Sequence, residues 1–147
     1  MGSTLASWNN LGLLFAAIGR SPFAEEAYKE AIAIDQELAN AFPLEPDYRS
    51  QLAREHHNLG ISLFKGQNLR DAEAALRRAI ELHEKLVKDF PSTVDYQEAL
   101  SNHYASLGRW FDDTERTEKA VEAYEQAIRI KEKLVKDSPK PVFRAQL

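Results

Sequence analysis

The chain has 147 residues, of which 44% are hydrophobic and 29% charged, so it has the length of one ordinary domain and is not intrinsically disordered. No apolar run reaches the ~18 residues of a membrane span, and no basic and apolar N-terminal stretch predicts a secretory signal. The absence of cysteine excludes disulfides and thiolate zinc sites and is compatible with a cytoplasmic protein, while the net charge of −4 argues against general nucleic-acid binding.

The sequence repeats itself with a period of 48. Leu-Gly and Ala-Ile dipeptides and single prolines recur at this step: Leu11-Gly12, Leu59-Gly60, Leu107-Gly108; Ala31-Ile32, Ala79-Ile80, Ala127-Ile128; Pro43, Pro91, Pro139. Residues 84–89 are repeated without change at 132–137. So many coincidences at one period indicate internal repeats. The units are 4–51, 52–99 and 100–146 of a single array over 1–147, and Leu147 opens an unfinished fourth unit.

Each unit is predicted to form two amphipathic helices. In unit two, two stripes with three- and four-residue steps flank the polar residues 65–68: first Tyr48, Leu52, His56, Leu59, Leu63, then Ala72, Ala75, Leu76, Ala79, Leu82, Leu86, Phe90. Pro91 lies just past the second stripe, where proline cannot continue a helix. Asp47 and Asp95 precede the next stripes and are interpreted as N-caps. No alternating strand pattern occurs, so the chain is predicted to be all-α.

Small residues indicate how the two helices of a unit touch. Ala24, Ala27 and Ala31 lie on one face of the second helix of unit one, and Gly12 is expected to face them. One helix pair cannot bury such a stripe alone, so the pairs are expected to stack on each other.

This pattern resembles the tetratricopeptide repeat, W-x2-L-G-x2-Y…A-x3-F…A…P. Three copies agree with most of its signature positions: Trp8, Leu11, Gly12, Phe15, Ala24, Tyr28, Ala31; His56, Leu59, Gly60, Leu63, Ala72, Leu76, Ala79; Tyr104, Leu107, Gly108, Phe111, Ala120, Tyr124, Ala127. The resemblance implies a right-handed superhelical α-solenoid of antiparallel helix pairs.

Two features depart from the family pattern. The period is 48 instead of about 34 residues, and the proline that ends the second helix is replaced by Gln36, Glu84 and Glu132. The second helices are therefore expected to continue to Phe42, Phe90 and Ser138, with both helices of a unit about two turns longer than usual. This long form resembles repeats of some multidomain bacterial proteins.

The resemblance also implies a concave groove, lined by the first helix of each unit, that holds a segment of a partner protein. The groove positions are Ala6, Asn9, Asn10, Leu13 and Ala17; Arg54, His57, Asn58, Ile61 and Lys65; and Asn102, Ala105, Ser106, Arg109 and Asp113. The family's clamp for acidic chaperone tails needs two lysines, two asparagines and an arginine at five set positions. Here those positions hold Asn9, Leu13, Asn58, Asn102 and Ser106. Only Asn58 matches, so the chain is predicted not to be such a clamp.

A second family use is an asparagine ladder along the backbone of an extended peptide. Asn10 and Asn58 occupy the ladder position, and Ser106 interrupts it. An amide side chain both donates and accepts, so it can pair with a peptide backbone; the alternative is that these residues cap polar groups or face water. Arg54 and Arg109 are candidates for holding an acidic group, with solvated cations as the alternative.

Catalytic and metal chemistry have little support in the sequence. His56 and His57 point about 100° apart on a helix, and His103 is expected to approach one of them, but no His-x3-His pair occurs. No phosphate loop, nucleophile elbow or His-Glu-x2-His motif is present, so we predict no enzyme and no cofactor or metal. Trp110 either packs between repeats or lies open at the groove rim.

Two functions follow as alternatives. The first is a protein-interaction scaffold that binds a partner segment in the groove. The second is a structural spacer or self-associating module, because the outer faces of the first and last units are expected to be apolar. The charge of the three units runs −4, −1 and +1 (basic minus acidic residues 3−7, 7−8 and 9−8), which could orient such a stack.

Overall fold

Six α-helices make up the part of the chain that the computed structural model describes, residues 2–19 and 21–137. The helices are α1 (Gly2–Ala17), α2 (Ser21–Ala41), α3 (Pro46–Lys65), α4 (Leu69–Asp89), α5 (Val94–Asp113) and α6 (Thr117–Asp137). No strand occurs among these residues, which confirms the all-α prediction. None of these helices is long and apolar enough to cross a membrane. Ser138 and Leu147, which carried two predictions, lie outside the described residues.

The helix bounds repeat at the period of the sequence. Residues 46 and 94 begin α3 and α5, and residues 41, 89 and 137 end the second helices, each one repeat period after its predecessor. The second helices end one residue before Phe42 and Phe90, so the predicted extension is present to within one residue. The unit divisions at 52 and 100 fall inside α3 and α5, so the structural unit is a helix pair that begins six residues earlier.

The first helices begin differently from the prediction. Asp47 and Asp95 lie inside the first turns of α3 and α5, and the capping positions belong to Glu45 and Thr93, neither of which makes a side-chain capping hydrogen bond. The N-cap interpretation of the two aspartates is therefore wrong. Proline at the first helical position of α3 fixes the start one residue before Asp47. In the first turn, each carboxylate instead meets the positive end of the helix dipole.

A left-handed residue ends the first helix of every pair. Gly19, Gln67 and Glu115 have φ values of 78°, 67° and 62° and follow one another at the repeat period. The amide that follows each of the last two donates to a carbonyl five residues earlier, at 2.9 and 2.8 Å, which is the bond pattern of a Schellman helix end. Residues with side chains adopt this conformation at a cost of about 1 kcal/mol.

The two helices of a pair touch at the glycine that recurs in each first helix. A Cβ placed at Gly12 would lie 2.6 Å from the ring of Tyr28, which stands on the same face of α2 as the predicted alanine stripe. The equivalent glycines make the same approach, Gly60 to Leu76 and Gly108 to Tyr124. The alanines Ala24 and Ala31 are fully buried beside this contact. In each pair, a large side chain of the second helix thus packs directly against the backbone of the first helix at its glycine.

Consecutive pairs stack through α2 on α3 and α4 on α5, which builds a helical-repeat solenoid with a continuous core. Trp110 belongs to this core. It is 4% exposed, and its Nε1 donates to the carbonyl of Leu69 at the start of α4, 2.9 Å away. Of the two alternatives that the sequence left for Trp110, packing between repeats is therefore confirmed.

Candidate functional site

A pocket of about 440 Å³ opens on the surface formed by the first helices of the three pairs. It is lined by Asn9 from α1, by Gln51, Arg54, His57 and Asn58 from α3, and by Asp95, Glu98, Ala99, Asn102 and His103 from α5. Most of these side chains are polar, so the pocket offers hydrogen bonds and charge more than apolar contact.

Helical spacing explains why these residues share one surface. Positions 51, 54 and 58 of α3 and positions 95, 98 and 102 of α5 follow three- and four-residue steps along one helix face. Arg54 and Asn102 are also repeat equivalents, since one repeat period separates them. The pocket therefore lies where matching faces of two neighbouring units meet, and its chemistry depends on how these positions have diverged.

The charges of the pocket come from both helices. Arg54 is exposed and forms no ion pair with any described residue. Asp95 and Glu98 are exposed carboxylates on α5. Burial lowers the pKa of His57, so this imidazole is neutral at physiological pH, and its Nε2 lies 2.7 Å from the Ser106 hydroxyl oxygen. Arg54 is thus the cationic group of the pocket, and it faces a neighbouring helix that carries two anions.

Some of the groove residues predicted from the sequence come together here. Five of them line the pocket: Asn9, Arg54, His57, Asn58 and Asn102. The amide oxygen of Asn9 is buried and has no hydrogen-bond partner among the described residues. This oxygen is therefore an unsatisfied acceptor in the wall of the pocket.

Nine other predicted groove residues lie outside the pocket lining: Asn10, Leu13, Ala17, Ile61, Lys65, Ala105, Ser106, Arg109 and Asp113. The side chain of the remaining one, Ala6, lies outside the described part of the structure. Asn10, Leu13 and Lys65 are exposed, whereas Ile61 packs against the core. Arg109 and Asp113 approach each other at 3.9 Å on the same helix. Within the described structure, Arg109 thus has a carboxylate partner of its own.

Sequence reasoning missed one side of the pocket. Gln51, Asp95, Glu98 and Ala99 lie on the turns that lengthen α3 and α5 before the family signature begins. The groove positions implied by the resemblance do not reach these added turns, and Asp95 was interpreted as a cap. The available signal was the helical step itself, since counting back from Asn102 by four and then three residues reaches 98 and 95.

Behind the pocket lies a buried chain of hydrogen bonds. Ser50 Oγ lies 3.1 Å from His83 Nε2, and His83 Nδ1 lies 2.7 Å from His103 Nε2. The centre of the His57 ring lies 4.8 Å from that of the His103 ring, and the two rings are tilted by 38°, so His103 does approach His57, as expected. Burial lowers the pKa of His83 to about 4 and that of His103 further. Among the described residues, no cluster of histidine and acidic side chains is arranged to hold a metal ion.

Comparisons with known proteins agree with this architecture. Family models of the tetratricopeptide repeat match residues 57–133, more than half of the chain, and residues 5–38. The crystal structure of BtubC (BKLC) from P. vanneervenii is similar, with a TM-score of 0.75 and 22% sequence identity. The similarity covers 93% of this chain and 50% of that one, so this chain spans about half the length of BtubC. At this identity the likeness shows the fold alone.

A crystal structure of MamA is also matched, with a TM-score of 0.37, 20% identity, and coverage of 90% of this chain and 81% of that one. This TM-score is too low to support an argument about either fold or function. No curated protein matches the sequence. The family match over more than half of the chain, together with the repeating helix pairs, shows that this chain belongs to the tetratricopeptide repeat family.

Proposed function

We propose that the chain binds an extended segment of a partner protein in the pocket between α1, α3 and α5. As a member of the tetratricopeptide repeat family, it is a protein-interaction module of the helical-repeat type. The observation that carries the finer proposal is the convergence of amide and charged side chains from three first helices on one pocket of about 440 Å³. This volume lies within the range of small-ligand pockets and suits a few residues of an extended chain.

The side chains of the pocket favour a particular kind of segment. Asn58, Asn102 and Gln51 each carry a donor and an acceptor, so they can pair with backbone N–H and C=O groups independently of the partner's side chains. Arg54 suits a carboxylate, while Asp95 and Glu98 suit a cation. The proposed ligand is therefore an extended peptide with side chains of both charges. The net charge of −4 does not favour nucleic acid. We assign no catalytic, cofactor-dependent or membrane role, and the proposed setting stays cytoplasmic.

The test uses an array of synthetic peptides of mixed charge, with the affinity of the best binder measured by calorimetry. The double variant Asn58→Ala/Asn102→Ala removes two amides, and at about 1 kcal/mol per hydrogen bond we expect a five- to thirtyfold loss of affinity. Asn40→Ala, an exposed amide on α2, is the matched control and should bind normally. If the double variant binds as tightly as the control, the pocket is not the binding site.

The asparagine ladder requires a separate variant. Asn10 lies outside the pocket lining, whereas Asn58 lies in it. Under the ladder hypothesis, Asn10→Ala weakens the same peptide about as much as Asn58→Ala does. Under the pocket proposal, Asn10→Ala has little effect. A double variant Asn10→Ala/Asn58→Ala without any effect would contradict both.

Self-association is a second candidate, because the two outer faces of the array are apolar. Ile128 on α6 is 53% exposed, whereas Ile80, its equivalent on α4, is 6% exposed under the next pair. On α1, Leu14 is 56% exposed, whereas Trp110 at the equivalent position is 4% exposed. A second copy that placed its α1 on α6 would repeat the contact already made between α4 and α5. Such head-to-tail contacts generate open assemblies.

Light scattering over a range of concentrations tests this candidate. We expect mass to increase with concentration and Ile128→Glu to abolish the increase. Gln126→Glu adds the same charge at an exposed position of α6 and is the matched control. A chain that stays monomeric at high concentration excludes self-association. If peptide binding also fails, a structural spacer without a groove ligand remains.

A further inference from the structure

Buried polar side chains occupy equivalent positions at the two junctions between helix pairs. At the first junction, Asp35 of α2 and Glu55 of α3 are both fully buried. At the second, His83 of α4 is fully buried and His103 of α5 is 2% exposed. Each imidazole stands one repeat period after one of the carboxyl groups. One structural position thus holds a pair of acids in one junction and a pair of bases in the next.

The two carboxyl groups lie close enough to each other for a hydrogen bond, which requires a proton on one of them. Both oxygens of Asp35 and one oxygen of Glu55 are buried, and no N–H or O–H group of the described residues donates to them. Gln51 donates weakly to the remaining Glu55 oxygen, at 3.4 Å. Two ionised carboxylates in this place would repel each other and lose their hydration, so one of them retains its proton and donates it to the other. Burial and the neighbouring Asp35 together raise the pKa of Glu55 to about 9.

The imidazole pair is stable when both rings are neutral, and protonation destabilises it. A hydrogen bond of 2.7 Å between His83 Nδ1 and His103 Nε2 requires that one nitrogen donates and the other accepts. Full protonation of both rings would place two donors, and two positive charges, face to face. Burial is the main cause that opposes this charge, and Arg54 and His57 on α3 are close enough to lower the pKa of both rings further. Ser50 on α3 and Tyr96 on α5, 6.1 Å from the His83 ring, complete the surroundings.

We propose that the two junctions respond to pH in opposite directions. The α2–α3 junction, held by a proton shared between two carboxyl groups, loosens in alkali. The α4–α5 junction, held by two neutral imidazoles, loosens in acid. The stable end of the array therefore changes with pH.

The direction of each response follows from proton linkage. Glu55 has a higher pKa in the folded chain than the usual value near 4.5, so its stabilisation is present below about pH 4.5 and is lost as the pH rises toward 9. His83 has a folded pKa of about 4, below its usual value of 6.5, so its stabilisation is present above pH 6.5 and is lost as the pH falls toward 4. One proton changes the local opening constant by up to about tenfold per pH unit.

Hydrogen exchange measured by mass spectrometry on the full chain, at about pH 5, 7 and 9.5 and corrected for intrinsic rates, tests the proposal. A local readout is needed because His56 and His57 on α3 also have lowered pKa values. In the wild-type chain we expect opening of α2 to increase in alkali and opening of α5 to increase in acid. Glu55→Gln supplies an amide donor to Asp35 without a titrating proton, so it should remove the alkaline response. Glu37→Gln, an exposed carboxyl on α2, should leave it unchanged.

Two further measurements keep the test decisive if a variant folds poorly. NMR titration of the wild-type histidine rings should show His83 and His103 still neutral below pH 5, and protonation of both near pH 6.5 would overturn the proposal. Asp35→His/Glu55→His places the second junction's pair in the first junction and should transfer the acid response to α2. The proposal fails if both junctions open in the same direction, or if Glu55→Gln leaves the alkaline response intact.

Discussion

Leu86 and Leu134 offer a controlled measurement of how much one helix pair stabilises its neighbour. Both leucines belong to the same six-residue sequence, at 84–89 and 132–137, and both lie in 21-residue helices with matching bounds. Leu86 is fully buried because α5 packs on α4, whereas Leu134 is half-buried, with no described helix following α6. Substitution of each by alanine thus makes the same chemical change in two environments.

The expected costs differ because only one site leaves a cavity. Leucine-to-alanine changes at fully buried sites cost about 3–5 kcal/mol, which combines lost transfer energy with the cavity that remains. We expect Leu86→Ala to lie in this range. At Leu134, solvent can fill part of the space, so the expected cost is about 1–2 kcal/mol. The difference, about 1–4 kcal/mol, measures the contribution of the following pair at this position.

Urea unfolding followed by far-ultraviolet circular dichroism provides the comparison. The dependence of the unfolding free energy on urea concentration should be the same in all variants. Low protein concentration is required, since a second copy stacked on α6 would cover Leu134 and reduce the difference. Equal destabilisation by the two substitutions would refute the argument that burial at this position comes from the next pair. A cost for Leu134→Ala that rises with concentration would instead support self-association.

Two substitution pairs test the local geometry of the repeat. Gly60→Ala should destabilise by about 1–3 kcal/mol despite a helix-propensity gain near 1 kcal/mol, because its Cβ would lie 3.0 Å from a fully buried leucine side chain. Gly108→Ala should be nearly neutral in the same urea titration, because the tyrosine ring that it meets is 37% exposed and can move aside; equal costs would contradict this. Gln67→Gly and Glu115→Gly should each raise stability by about 0.5–1 kcal/mol by relieving a left-handed conformation, and a lower melting temperature for either would show that the side chain contributes more than the strain.

The fold was predictable because its signals are repeated. A single apolar stripe such as Leu76, Ala79 and Leu86 is an ambiguous sign of a helix. Three copies at one period predict the helices, the turns between them and their pairing. Helix starts were less predictable, since Asp47 and Asp95 are as favourable inside a first turn as at the cap. The single proline before Asp47 was the available clue, and it has no counterpart before Asp95.

The pocket was predictable on one side only. Asn58 and Asn102 lie at positions that the family resemblance implies, but Glu98 belongs to turns that ordinary members of the family lack. The buried pairs were harder to predict from the sequence, because Asp35 and Glu55 cannot be distinguished there from the many exposed acidic residues on the same helices. The available signal was the repeat period, which aligns Asp35 with His83 and Glu55 with His103 and so places ionisable residues at the same two positions twice.

Groove binding and head-to-tail stacking use different surfaces, so they need not compete. The pocket faces the side formed by α1, α3 and α5, whereas stacking would use the outer face of α6 and that of α1 in the next copy. A stack that repeats the α4–α5 contact would add a further first helix beside α5 and so lengthen the polar surface next to Asn102. A partner with several binding segments would then gain affinity from assembly through effective concentration, without any new contact in the pocket. Ile128→Glu should accordingly leave the affinity for a single short peptide unchanged while weakening a tandem peptide, and a loss for the short peptide would show that the two surfaces are coupled.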